Sequence, residues 1–88
     1  MYRILIVEDD RTNQSLYQKM KVWEEEGFVI EGQAFNGREA LSLMQTKQFD
    51  LYIVDVMMPV MNGLEFLKEL KDRGIMAPRI IASNYNEF

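Results

Sequence analysis

The 88-residue chain carries 10 Lys+Arg against 14 Asp+Glu, a net charge of −4, with 48% apolar residues and neither Cys nor His. A chain of that length builds one small domain around one modest core. Without Cys there is no disulfide, thiol nucleophile or Cys-rich zinc site, and without His no histidine triad, imidazole ligand or phosphohistidine.

Acid-base, metal or covalent work therefore falls to carboxylates, hydroxyls, Lys and backbone, a donor set that suits hard, oxygen-seeking cations. The acidic balance, with no cluster of Lys and Arg, argues against direct nucleic acid binding by this segment. No apolar run approaches the ~18–20 residues of a membrane span, and the start lacks a signal-peptide pattern, so a cytoplasmic setting is expected.

Arg3-Ile4-Leu5-Ile6-Val7 is an apolar, β-branched run without polar alternation, stopping at Glu8-Asp9-Asp10. It predicts a strand buried on both faces, as in parallel sheets. Asn13 to Glu26 shows helical spacing with Leu16, Met20 and Trp23 on one stripe, Asp10 or Thr12 as its N-cap and Gly27 as its stop. Phe28-Val29-Ile30 returns to strand composition, and Asn36-Gly37 is a turn before a helical stripe of Ala40, Leu41 and Met44. Leu51-Tyr52-Ile53-Val54 is the third strand and stops at Asp55.

After the loop from Val56 to Gly63, Leu64, Leu67 and Leu70 keep helical spacing up to Gly74, and Pro78 precedes a fourth strand, Arg79 to Ala82, ending at Ser83. The order β-α-β-α-β-α-β predicts right-handed crossovers and a doubly wound parallel sheet covered by helices on both faces. Oxygen-bearing side chains then stand at three strand ends: Glu8 and Asp9, Asp55, and Ser83. Ligands bind such sheets outside the carboxyl ends of the strands, so these groups are expected to converge. Close carboxylates repel, a cost that a divalent cation removes, and an all-oxygen cluster meeting a phosphoryl group suits Mg²⁺.

Simpler readings stand beside this one. Asp55 could cap the next helix or pair with a Lys, and the acidic triplet could be a solvated turn with one cap. Ser83 could be only a helix N-cap, while Met57, Met58 and Met61 read as packing residues.

The residues that carry the pattern, Ile4 to Asp10, Phe49 to Pro59 with Asn62-Gly63, and Ile80-Ile81-Ala82-Ser83, resemble the receiver domain of bacterial two-component response regulators. Trp23 to Phe28 and Ser83 to Phe88 are most similar to the branch with AraC-type DNA-binding outputs. The resemblance implies a flavodoxin-like sheet in order 2-1-3-4. It implies that Asp55 accepts a phosphoryl group from a sensor histidine kinase and that Asp9 binds Mg²⁺ directly, with Glu8 acting mainly through water. The backbone carbonyl of Met57 is the implied further ligand, Ser83 hydrogen-bonds a phosphoryl oxygen, and Pro59 and Gly63 shape the loop.

Receivers continue into a fifth strand carrying a Lys that contacts the phosphoryl group, and none of Lys19, Lys21, Lys47, Lys68 or Lys71 follows a strand at that place. The expectation is thus a receiver domain over 1–88 that is incomplete at its C-terminus, lacking the fifth strand and last helices. Its output domain would lie beyond the segment, and the exposed strand edge would favour self-association. Such a domain is a phosphorylated signalling unit, with at most slow self-dephosphorylation, rather than a turnover enzyme. Two alternatives are a pseudo-receiver that signals by contacts alone and a haloacid-dehalogenase-like phosphatase. The second is disfavoured because Met57, not Asp, stands two positions after Asp55.

Overall fold

In the computed structural model, residues 1–56, 58 and 60–82 are described. The elements in chain order are β1 (Tyr2–Val7), α1 (Arg11–Lys19), α2 (Val22–Glu25), β2 (Phe28–Ala34), α3 (Gly37–Met44), β3 (Leu51–Asp55), α4 (Gly63–Asp72) and β4 (Arg79–Ala82). The four strands pair in parallel in the order β2-β1-β3-β4. This is the flavodoxin-like order expected from the sequence. The order reverses between β1 and β3, and there the carboxyl ends leave a crevice.

The central strands bury both faces, so each splits its side chains between two cores. Leu5, Val7, Tyr52 and Val54 face α3 and α4 and pack with Phe49, Phe66 and Leu70. Ile4, Ile6, Leu51 and Ile53 face the other way, against Tyr17, Trp23, Phe28 and Ile30. Strict alternation explains β1 and β3 but not β2, where Phe28 and Ile30 join one core and Ala34 the other. The register supplies the reason: Ile4 pairs with Ile30 and Leu5 with Gly32, leaving Glu31 as an extra residue. That bulge turns the second half of β2 over, and the strand runs on to Ala34, beyond the Phe28-Val29-Ile30 run read as strand in the sequence. Gly32 is required there, because a Cβ would stand 2.9 Å from both Leu5 Cδ1 and Phe49 Cζ.

Polar caps start the three longer helices. Asp10 accepts from the Asn13 N–H at 3.0 Å, and Asn36 accepts from the Glu39 N–H at 2.9 Å. Asn62 and Glu65 form a reciprocal capping box.

Two helical expectations need correction. The single helix from Asn13 to Glu26 is broken, because Met20 is extended between α1 and α2. The Tyr17 carbonyl accepts from the Met20 N–H at 3.2 Å and from the Trp23 indole N–H at 3.0 Å. Six residues span about 1.7 turns of an unbroken helix, which would point Trp23 away from the sheet that Tyr17 faces, and the break brings both onto it. The expected stripe of Leu16, Met20 and Trp23 is likewise not the buried face. Leu16 and Met20 are exposed, and Gln14 is the buried residue of α1. In α4 the buried positions are Gly63, Phe66 and Leu70, with Leu64 outside. Among the described residues no helix is long and apolar enough to cross a membrane.

Candidate functional site

Val7 and Val54 are register partners, so the residues that follow them emerge side by side from the two central strands. Glu8 and Asp55 are both 2% exposed, and Asp9 beside them is more open to solvent. One carboxylate oxygen from each of Glu8, Asp9 and Asp55 lies within 4.8 Å of the others. The strand ends thus bring together the three acidic residues picked out in the sequence, and Asp10 is absorbed by the N-cap of α1.

Glu8 is held from several directions. Its N–H donates to the Ala34 carbonyl at 2.9 Å. Its carboxylate accepts from the Asp10 N–H at 3.1 Å and from the Asn13 side-chain amide at 3.4 Å. Burial is the main reason its pKa rises to about 7; the Asp10 N–H pulls it down, while hydrogen bonding to Asp55 and Asp9 and the Asp55 charge push it up. Tyr17 is raised too, mainly by burial and then by the Glu8 and Asp55 charges. Three carboxyl groups so close prefer to share a proton or to gain a cation.

The segment after Asp55 is drawn tightly back. The Val56 N–H donates to the Ala82 carbonyl at 3.2 Å, and the Gly63 N–H to the Val56 carbonyl at 3.1 Å. Gly63 lies directly against this backbone: a Cβ would collide with the Asp55 carbonyl oxygen and stand 2.7 Å from Val56 Cα. Any larger residue there would displace the chain beside Asp55. Met58 is buried in the core, and Met61 packs on Gly37 at the start of α3. β4 ends at Ala82, the register partner of Asp55. Ser83, Met57 and Pro59, to which the sequence reading gives phosphoryl-contacting, metal-binding and loop-shaping roles, lie outside the described residues.

Sequence reasoning missed two residues that support this site. Asn13 reaches Glu8 from the first turn of α1. Gln14 donates from its side-chain amide to the carbonyls of Ile6, Glu8 and Ala34. The available signal was the spacing of Gln14 and Tyr17, i and i+3, on the helix face opposite the assumed apolar stripe.

The family model "Response regulator receiver domain" matches residues 4–88. The chain belongs to that family. A transcriptional regulatory protein of Bacillus subtilis, YesN, is 35% identical over 88 residues, covering 100% of this chain and 24% of the relative. The chain spans between 22% and 34% of the length of the curated relatives it matches most strongly. Among solved structures, the response regulator TrrA of Thermotoga maritima in complex with Mg²⁺-BeF superposes with a TM-score of 0.83 at 35% identity, over 98% of this chain and 72% of that one. TrrA in complex with the histidine kinase ThkA gives 0.80 at 32% identity, over 100% of this chain and 73% of that one. This receiver domain therefore places its acidic crevice on a fold shared with proteins solved in both complexes.

Proposed function

We propose that Asp55 is the phosphoacceptor of this receiver domain, and that Glu8 and Asp9 with Asp55 hold Mg²⁺ beside it. The observation that carries the reading is the convergence of three carboxylates, two of them buried, at the carboxyl ends of the two central strands. The donor set fits the ion: all ligands are oxygens, and the Glu8 carboxyl, raised to about 7 by burial and by its acidic neighbours, gains from a compensating positive charge. The Met57 carbonyl and the Ser83 hydroxyl are proposed to complete the metal and phosphoryl contacts.

Phosphoryl transfer needs in-line positioning and charge neutralisation more than a general base. An Asp55 carboxylate oxygen forms the new O–P bond as the P–N bond of a phosphohistidine breaks. The leaving imidazole nitrogen keeps the electron pair, and with the other ring nitrogen already protonated the imidazole departs neutral. Residues 1–88 hold no His, so the phosphohistidine lies outside them, and we propose that a sensor histidine kinase such as the one seen with TrrA supplies it. Burial holds the Asp55 carboxylate at the strand end, and Gly63, having no Cβ, lets the start of α4 lie directly against the Asp55–Val56 backbone. Bound Mg²⁺ would offset the negative charge on the phosphoryl oxygens during transfer.

We further propose that residues 1–88 act as the signalling portion of a cytoplasmic regulator whose output is transcriptional, supported by the similarity to YesN. The domain is then a switch, with hydrolysis of its acyl phosphate as slow chemistry at the same carboxylate. The test is incubation with acetyl phosphate and Mg²⁺, followed by intact mass. Wild type should gain one phosphoryl group and Asp55→Asn none. A protein that stays unmodified, or an Asp55→Asn variant modified equally, would overturn the assignment.

A further inference from the structure

Gln14 is 3% exposed and is the buried side chain of α1, at a position where a helix lying on a sheet ordinarily presents an aliphatic residue. Its Nε2 stands 3.2 Å from the Ile6 carbonyl, 3.2 Å from the Glu8 carbonyl and 2.9 Å from the Ala34 carbonyl. Its Oε1 finds no donor among the described residues, so packing alone would be served better by Met or Leu.

The three acceptors explain why an amide stands there. β2 ends at Ala34, so the β1–β2 ladder runs out of N–H donors where Glu8 leaves β1. The Ala34 carbonyl still receives the Glu8 N–H at 2.9 Å, and the Glu8 carbonyl is met by Gln14 instead of by a strand. The amide thus continues the sheet one residue past its last ladder pair and clamps α1, β1 and β2 together at the base of the acidic crevice. Asp10, two residues further, is fixed to the same helix by its cap on the Asn13 N–H.

We propose that Gln14 is a positioning residue of the receiver site, holding the backbone exit of β1 so that the Glu8 and Asp9 carboxylates meet Asp55. The proposal deepens the Mg²⁺ reading above and rests on it for its functional consequence. Gln14 touches neither ion nor phosphoryl group. It acts through the carbonyls on either side of Val7 and at the end of β2.

Two measurements test this. In the wild-type protein without metal, the Gln14 side-chain amide protons should exchange with water at least tenfold more slowly than those of exposed Gln18, and through-hydrogen-bond NMR couplings should join them to the Ile6, Glu8 or Ala34 carbonyls. Free-rate exchange would overturn the clamp, whatever the metal does. Gln14→Met keeps the volume and removes the donors; where it is folded, Mg²⁺ titration followed by the Glu8 and Asp9 amide shifts should show affinity reduced about five- to tenfold. Ile30→Ala, in the core facing α1 and away from the crevice, is the control for general loosening and should keep wild-type affinity despite a lower Tm. Equal affinity in Gln14→Met and wild type, or a loss in Ile30→Ala that tracks Tm, would overturn the positioning role. Failure of the wild type to bind Mg²⁺ while its Gln14 amide is protected would instead sink the metal reading of the site and leave the clamp standing.

Discussion

β1 and β4 are built from nearly the same residues, Ile-Leu-Ile-Val against Ile-Ile-Ala, yet they lie in opposite surroundings. Ile4, Leu5, Ile6 and Val7 are fully buried, whereas Ile80 is 49% and Ile81 54% exposed. The difference is one of neighbours. Among the described residues, β1 has a strand on each side and helices on both faces, while β4 pairs with β3 alone. A strand's composition states what it can bury, and its place in the sheet decides what it does bury. The acidic site sits on the enclosed strands, where a charge is expensive and can be tuned by burial.

The largest expected effect breaks this contrast directly. Ile6→Ala should lower unfolding stability by roughly 2–5 kcal/mol, because it opens a cavity that two helices and two strands cannot fill. Ile81→Ala, which gives up a side chain already half in water, should cost less than about 1 kcal/mol. Urea denaturation of the two variants reads the difference, and equal costs would mean that β4 is covered in solution.

Next in size is the pH dependence of the metal-free protein, which sharpens what enclosure does to a charge. Glu8 has a pKa of about 7 in the folded chain against 4.5 for an ordinary Glu, so the folded state binds its proton more tightly than the unfolded state. Its contribution to stability is complete below about pH 4.5, is lost as pH rises through 7, and is level above that. At about 1.4 kcal/mol per pH unit the loss is at most on the order of 3 kcal/mol, because the shift arises in part from the neighbouring Asp55 and Asp9 carboxyls. Glu8→Gln should flatten thermal stability between pH 4.5 and 7, and Mg²⁺ should restore wild-type stability at pH 8 but stabilise Glu8→Gln less. A wild-type curve that rises across this window would contradict the burial argument.

A smaller effect is expected at the loop that leaves β3. Gly63→Ala places a methyl against the Asp55 carbonyl and Val56 Cα, and relief of that contact must come from backbone. The strain should amount to roughly 1–3 kcal/mol, read as a lower Tm together with shifted amide resonances at Asp55 and Val56. Unchanged resonances would show that the loop yields elsewhere.

Much of this was legible in the sequence because it rests on abrupt changes of composition. Val7 followed by Glu8, and Val54 followed by Asp55, mark strand ends without ambiguity, and parallel topology then brings those ends together. What stayed hidden depends on contacts that periodicity does not encode. The Glu31 bulge leaves no apolar signature, so the strand composition read at Phe28-Val29-Ile30 does not show that β2 runs on to Ala34. Leu16 and Met20 outweighed Gln14 and Tyr17 as a helical stripe because hydrophobicity scores side chains and not the carbonyls that an amide can bridge. The break at Met20 carries neither Pro nor Gly, and what accompanies it, a tryptophan indole bound to the backbone oxygen six residues before it, has no signature in periodicity.

The smallest effect concerns one residue type in the two environments. Val7 is fully buried in extended backbone, whereas Val60, in the loop between Asp55 and Gly63, is 59% exposed with φ of +56°. A β-branched side chain in the left-handed region costs about 1–2 kcal/mol through contact of its Cβ with the carbonyl oxygen. Val60→Gly removes that contact and loses little packing. It also frees the unfolded chain, which gives back roughly 0.5–1 kcal/mol. The two terms leave a net gain of roughly 0–1.5 kcal/mol, visible as a slightly higher urea midpoint with unchanged m-value. A loss of stability instead would show that the Val60 side chain makes contacts worth more than its strain, and would move this loop from the open part of the molecule to the enclosed one.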